Sequence, residues 1–127
     1  MTEQGRGAQV VPVRTTESDG VAVVHVAGEV DLATHEVIRN GVHGALELRP
    51  GALVLDLSGV TFLASVGISL LVELRQYAEQ HGIGFAVVAE RRSVLRPLTA
   101  TGVVDVLTLR PTLADAVAAV RGERDAS

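Results

Sequence analysis

Two hydrophobic periods meet in the middle of this chain. Ala52 to Leu57 is a nearly continuous apolar run with Asp56 as its only charge, the pattern of a central strand covered on both faces. From Ser65 the spacing becomes helical. Val66, Leu70, Leu74 and Tyr77 recur on a face suited to a core, while Ser65, Ser69, Glu73, Gln76 and Gln80 recur on a polar one. The stretch predicts a buried strand that turns tightly into a helix opening on Ser65. A hydroxyl there sits at the positive end of the helix, where unpaired N–H groups and a dipole of about half a charge favour a phosphate.

The flanking segments follow the same two periods. Gln9 to Arg14 and Val21 to Ala27 read as strands joined by the turn-forming TTESDG, an opening hairpin. His25, a lone histidine among apolar strand residues, reads as a packing or surface residue. GEVD at 28–31 comes next, and Leu32, Ile38, Val42, Ala45 and Leu46 then mark one face of a helix weakened by Gly41 and Gly44. Pro50-Gly51 ends that helix. Gly82 to Gly84 closes the helix that began at Ser65, and Phe85 to Ala89 reads as a strand. A short helix over Arg91 to Thr101 is expected to start at Ser93, with Pro97 near its first turn and Gly102 past its end. Val103 to Leu109 reads as a final strand, and Thr112 with Asp115 has capping-box-like spacing before a helix carrying Leu113, Val117 and Val120. Strands alternating with helices predict an α/β domain: a mixed sheet of about five strands packed with about four helices. Residues 1–9 and 121–127 are expected to be flexible tails around one domain at 10–120.

Composition narrows the function. In 127 residues there is room for one domain with a single core. The aromatics are only Phe62, Tyr77 and Phe85, so platforms for stacking bases or sugars are missing. Eleven basic residues, all Arg, against fifteen acidic ones give a net charge of -4 without a basic cluster, which argues against direct nucleic-acid binding. The absence of cysteine removes disulfide, thiolate-zinc and cysteine-nucleophile chemistry. His35 and Glu36 do not extend to HExxH, because Arg39 occupies the place of the second histidine. No Ser/His/Asp constellation, carboxylate pair or metal cluster is legible, so catalytic, cofactor and metal sites are all read as none. The uncharged run from Leu57 to Val72 is shorter than the roughly 20 residues a bilayer span needs. With no secretory signal visible at MTEQGRGAQVV, a cytoplasmic protein without membrane insertion is expected.

GEVD at 28–31 and DLSGVTFLASVG at 56–67, followed by the amphipathic helix and ERRSVLRPLTATGVVDVL, resemble the STAS domain of bacterial anti-sigma-factor antagonists. The resemblance runs from about Val10 to Val120. It implies a protein that binds an anti-sigma factor that is also a serine kinase, frees a sigma factor, and is switched off by phosphorylation, with a serine phosphatase as a possible second partner. Ser65 matches the modified serine of the family's Asp-Ser-Ser/Thr-Gly turn, Gly67 its glycine, and Asp31 the acidic residue of its Gly-Glu-Leu-Asp segment. Ala64 stands where the family has Asp, and Val66 where it has Ser or Thr. The expected partner surface is Glu29, Asp31, Ala64, Ser65, Val66, Gly67, Ser69, Glu73 and Gln76. Without the resemblance, Ser65 reads as an ordinary helix N-cap and Asp31 as a cap or turn residue. An alternative of another class is a regulatory STAS subunit of a membrane transporter or larger signalling assembly.

Overall fold

The computed structural model describes residues 13–126. Its elements in chain order are β1 (Val13–Ser18), β2 (Val21–Val30), α1 (His35–Leu46), β3 (Ala52–Leu63), α2 (Ser65–Gln80), β4 (Gly84–Val88), α3 (Arg92–Ala100), β5 (Leu109–Arg110) and α4 (Leu113–Ala126). They form the expected mixed five-stranded sheet with four helices, in the order β1-β2-β3-β4-β5. The β1–β2 pair is antiparallel, and the other three pairs are parallel.

That order explains the layers. Each parallel connection steps to the next strand in the same direction, and crossovers of one hand then place α1, α2 and α3 on the same face. Ile38, Val42, Leu70, Leu74, Val94 and Leu98 from those helices bury against Val24, Leu53, Leu55, Leu57 and Val87. Among the described residues the opposite face is covered by α4 alone, whose Ala116 and Val120 pack on Val21, Val23, Ala52, Val54, Ala86 and Val88. The continuous apolar reading of β3 is therefore correct. Asp56 lies on this second face, just beyond those residues.

Several boundaries differ from the sequence reading. Of the strand expected at Gln9 to Arg14, residues 9–12 lie outside the described part, and β1 runs on through Ser18. The turn is only Asp19-Gly20, both at positive φ (54° and 81°), the geometry a two-residue hairpin loop requires. β2 takes in GEV, and β3 continues to Leu63, because parallel pairing persists past Asp56 through two register shifts. The final strand shrinks from Val103–Leu109 to two residues, because β5 pairs with β4 only at Val87↔Leu109 and Val88↔Arg110. The apolar residues before it are used without a strand: Leu107 is buried, and Val103 and Val104 pack against the core.

Helix starts also shift. Arg91, not Ser93, is the residue before α3, and it supplies no side-chain cap. The Ser93 hydroxyl instead donates to the carbonyl of Thr61 at 2.8 Å, tying α3 to β3. Thr112 does cap α4, accepting the Asp115 N–H at 3.1 Å. The expected tail at 1–9 lies outside the described residues, and α4 continues beyond Val120 to Ala126.

Candidate functional site

The parallel strands β2 and β3 end side by side, and α2 departs from that edge. Glu29 pairs with Phe62 and Val30 with Leu63, and the Ala64 N–H donates to the Val30 carbonyl at 2.9 Å. These contacts put GEVD beside the start of α2, at the carboxyl ends of adjacent strands, where α/β sheets commonly present their sites.

Ser65 is the first helical residue and is exposed. The N-cap is Ala64, with extended backbone (φ -80°, ψ 168°) and no side-chain acceptor, so Ser65 is not the cap. The Ala64 carbonyl accepts from Gly67 at 2.9 Å and Ile68 at 3.2 Å, and among the described residues the N–H groups of Ser65 and Val66 have no protein acceptor. The first turn of α2 also contains no acidic residue. The end of this helix therefore keeps its donors and its positive potential.

Gly67 has an inward role. It is buried, and a Cβ there would come within 2.7 Å of both Leu63 Cδ1 and Val30 Cγ1. The absence of a side chain is what lets α2 settle directly on the ends of β2 and β3. Val66 is half-buried, while Ser69, Glu73 and Gln76 are exposed along α2 with Ser65. The polar face expected from spacing is therefore outward, but the core face is Gly67, Ile68, Leu70, Leu71, Leu74 and Ala78. Val66 and Tyr77, expected in the core, lie at its margin.

Two expected contact residues are already engaged. Asp31 Oδ1 accepts the Ala33 N–H at 3.0 Å, and the Asp31 N–H donates to the Thr34 hydroxyl at 3.0 Å. That hydroxyl donates to the Glu29 carbonyl at 2.8 Å. Asp31 is thus a turn residue that shapes the loop before α1, and the buried Thr34 is its lock. Glu73 binds Arg39 with both oxygens, at 2.9 Å from Nε and 2.9 Å from Nη2, while Arg39 Nη1 also holds Glu36 at 2.7 Å. The Arg39 hydrogen bond holds the Glu73 carboxyl below the usual range, and the two carboxylates push the Arg39 guanidinium up. The exposed Glu29 has no such partner among the described residues.

Apolar residues near the same edge were missed from sequence. Leu32 is 77% exposed and Phe62 is 49% exposed, one following GEVD and the other three residues before Ser65. Large side chains at a strand-end edge that face water mark a candidate contact patch. The signal was present in Leu32, which was assigned to the buried face of α1 although it precedes that helix.

A second polar cluster lies farther back on the same strands. The parallel register places His25 opposite Asp56, with His25 Nδ1 2.9 Å from Asp56 Oδ2 and Nε2 3.1 Å from the Thr16 hydroxyl. Burial pushes the Asp56 carboxyl up, but hydrogen bonds from the Ser58 N–H and hydroxyl and from His25 outweigh it and hold the carboxyl below its ordinary value. With Asp56 ionised, His25 Nδ1 carries the proton it donates. The order carboxylate, imidazole, hydroxyl is that of a hydrolytic triad, yet here it stitches β1, β2 and β3 together across the sheet. Two lone polar residues in otherwise apolar strands were the available clue. Among the described residues no group of three or more His, Asp or Glu could hold a metal ion, and no helix is long and apolar enough to cross a membrane.

Residues 12–116 match the STAS domain. The chain is 36% identical over 114 residues to the anti-sigma-F factor antagonist RsfB of Mycobacterium tuberculosis, covering 90% of this chain and 93% of that protein. It superposes on a crystal structure of an anti-sigma factor antagonist from Mycobacterium paratuberculosis with a TM-score of 0.83 and 37% identity, covering 89% of this chain and 96% of that one. It also matches part of the murine solute carrier 26 family member A9 anion transporter, with a TM-score of 0.72 and 27% identity, over 86% of this chain but only 19% of the transporter.

Proposed function

The chain belongs to the STAS domain family, and from that premise we propose that it is an anti-sigma-factor antagonist whose binding surface is switched at Ser65. It works by binding and is not an enzyme. The proposed partner is an anti-sigma factor with serine-kinase activity, and a serine phosphatase resets the switch. The observation that carries this reading is the exposed Ser65 hydroxyl on the first residue of α2, at a helix end without a side-chain cap.

The mechanism follows from charge and solvation. An unmodified surface presents Ser65, Ser69 and Gln76 beside Leu32, Phe62 and Glu29, a mixture that a partly apolar partner can cover. A phosphate adds about 1.5 to 2 negative charges and three strong acceptors. The helix end accommodates that charge internally, because the N–H groups of Ser65 and Val66 are available to it. The partner cannot cover it without desolvating it. Each 1.4 kcal/mol of such penalty weakens binding about tenfold, so no change of fold is required.

The two departures from the family turn have defined consequences. Ala64 removes the acceptor that an aspartate would offer at the cap, so the modified serine competes with no carboxylate for the helix N–H groups. Val66 leaves Ser65 as the single phosphorylatable side chain of the tetrad. Asp31 and Gly67 support the surface from beneath, through the loop before α1 and the seating of α2.

Localisation in the cytoplasm follows from this partner. The transporter-associated reading draws on the murine anion transporter, but the match over nearly the full length of free-standing antagonists favours the first. Capture from native cell extract with wild type and Ser65→Glu, followed by mass spectrometry, separates them. Wild type should recover an anti-sigma kinase that the Glu variant recovers poorly, and that kinase with ATP should add one phosphate to wild type and none to Ser65→Ala. Equal capture by both forms, or recovery of a transporter instead, would count against the switch.

A further inference from the structure

The helices of this chain treat their arginines in two ways. On α1, α2 and α4, Arg39 holds Glu36 and Glu73, Arg75 holds Glu79, and Arg121 holds Asp19. At α3, Arg91, Arg92 and Arg96 are all exposed, and among the described residues none has a carboxylate partner. From Ala89 to Thr101 the only acidic residue is Glu90. A chain of net charge -4 thus concentrates unpaired positive charge on one short helix.

That placement works against the helix itself. Arg91 precedes α3 and Arg92 opens it, at the positive end of the dipole, in a first turn with no acidic residue and no side-chain cap. Arg92 and Arg96 stand four residues apart, a spacing at which like charges repel. Because Val94 and Leu98 are the buried residues of α3, Arg92 and Arg96 share its outward side. The turn is also fixed in place. The Ser93 hydroxyl donates to the Thr61 carbonyl at 2.8 Å and Arg91 Nη2 approaches the Ser58 carbonyl at 3.5 Å, both on the part of β3 that extends past its last pair with β4 at Asp56. Local rules broken without a gain inside the fold are expected where another molecule binds.

We propose that the outward side of α3 docks an acidic segment of a protein partner, with Arg92 and Arg96 as the principal contacts and Arg91 at their edge. Each guanidinium can hold a carboxylate with two parallel hydrogen bonds. Four helical residues rise about 6 Å, so the matching segment carries carboxylates at that separation, four apart on a helix or two apart on an extended strand. A membrane fits less well, because none of the large exposed apolar residues, Leu32, Val37, Leu48, Phe62 and Val106, lies on α3 to enter a bilayer. Nucleic acid fits less well too, since three cations on an acidic chain without stacking aromatics beside them make a weak backbone track. The surface does not include Ser65, and it stands or falls apart from that switch.

Titration of the full chain with end-blocked hexaglutamate, and separately with hexaglutamine, followed by amide chemical shifts, tests this. Saturable shifts should appear with hexaglutamate alone, centre on residues 91–96, and recede as salt is raised. Arg92→Ala combined with Arg96→Ala should weaken binding about tenfold or more, while Arg121→Ala on α4 should leave it unchanged. Arg92→Glu should lose binding while its Tm matches or exceeds that of wild type, because a carboxylate suits the positive end of α3. Shifts that do not saturate, or that spread equally over the other exposed arginines, would overturn the proposal. So would unchanged affinity in the double variant, or a Tm lowered by Arg92→Glu, which would mean that the arginine serves the fold. A response to phosphatidylglycerol vesicles or duplex DNA in place of hexaglutamate would also overturn it, in favour of a lipid or nucleic-acid surface.

Discussion

Two places on β2 and β3 use polar chemistry in opposite ways. Midway along the strands, Asp56 is enclosed by His25 and Ser58, and His25 is held in turn by Thr16. At the strand ends, Ser65 is exposed, its helix has no side-chain cap, and Leu32 and Phe62 face water. A closed network holds the sheet together, whereas an open one leaves donors and apolar area for another molecule. Changes at the first place should therefore cost stability, and changes at the second should cost binding.

The largest expected effect tests where the open end begins to be structural. Gly67→Val should destabilise the fold by about 3 kcal/mol in urea unfolding, because the side chain overpacks against Leu63 and Val30. A neutral result would mean that α2 does not sit tightly on the strand ends. Next, Asp56→Ala should cost about 2 kcal/mol by removing a buried acceptor from His25 and Ser58. Its pH dependence carries a sign. A carboxyl held below its ordinary value in the folded state stabilises above the unfolded pKa of about 3.9 and loses that contribution as pH falls through the lower, folded value. The stability gap between wild type and Asp56→Ala should thus close below that range, and a gap that persisted in strong acid would refute the ionised pair.

Smaller changes compare the helix ends themselves. Thr112→Ala should cost about 1 kcal/mol by opening the cap of α4, while Ala64→Asp should gain about 1 kcal/mol by closing that of α2. The same Ala64→Asp should reduce the stabilisation that phosphorylated Ser65 draws from the helix, readable as a smaller rise in Tm on modification. Smallest of all is Glu73→Ala, which removes an exposed pair with Arg39. Its Tm should move least in the series, as expected where water screens both charges.

Much of this was legible in the residues. The apolar run at Ala52 to Leu57 announced a central strand, and the switch of period at Ser65 placed the first residue of α2. The polar face from Ser65 to Gln80 also lies outward as spacing required. What escaped depended on pairing between distant segments. His25 and Asp56 are thirty-one positions apart and meet only because β2 and β3 run parallel in a particular register. Likewise, Val103 to Leu107 has strand-like composition, but Val103, Val104 and Leu107 pack against the core without a ladder, and Val106 is left exposed. Gly67, expected on the partner surface, is buried over Val30 and Leu63, which only the pairing of β2 with β3 brings beneath it.

The most direct test is calorimetric titration of the captured anti-sigma factor with wild type and with Ser65→Glu, alongside their thermal unfolding. The Glu variant should bind at least about tenfold more weakly while its Tm matches or slightly exceeds that of wild type, since the carboxylate sits at the favourable end of α2. Equal affinities at equal Tm would show that the surface around Ser65 is not where the partner docks.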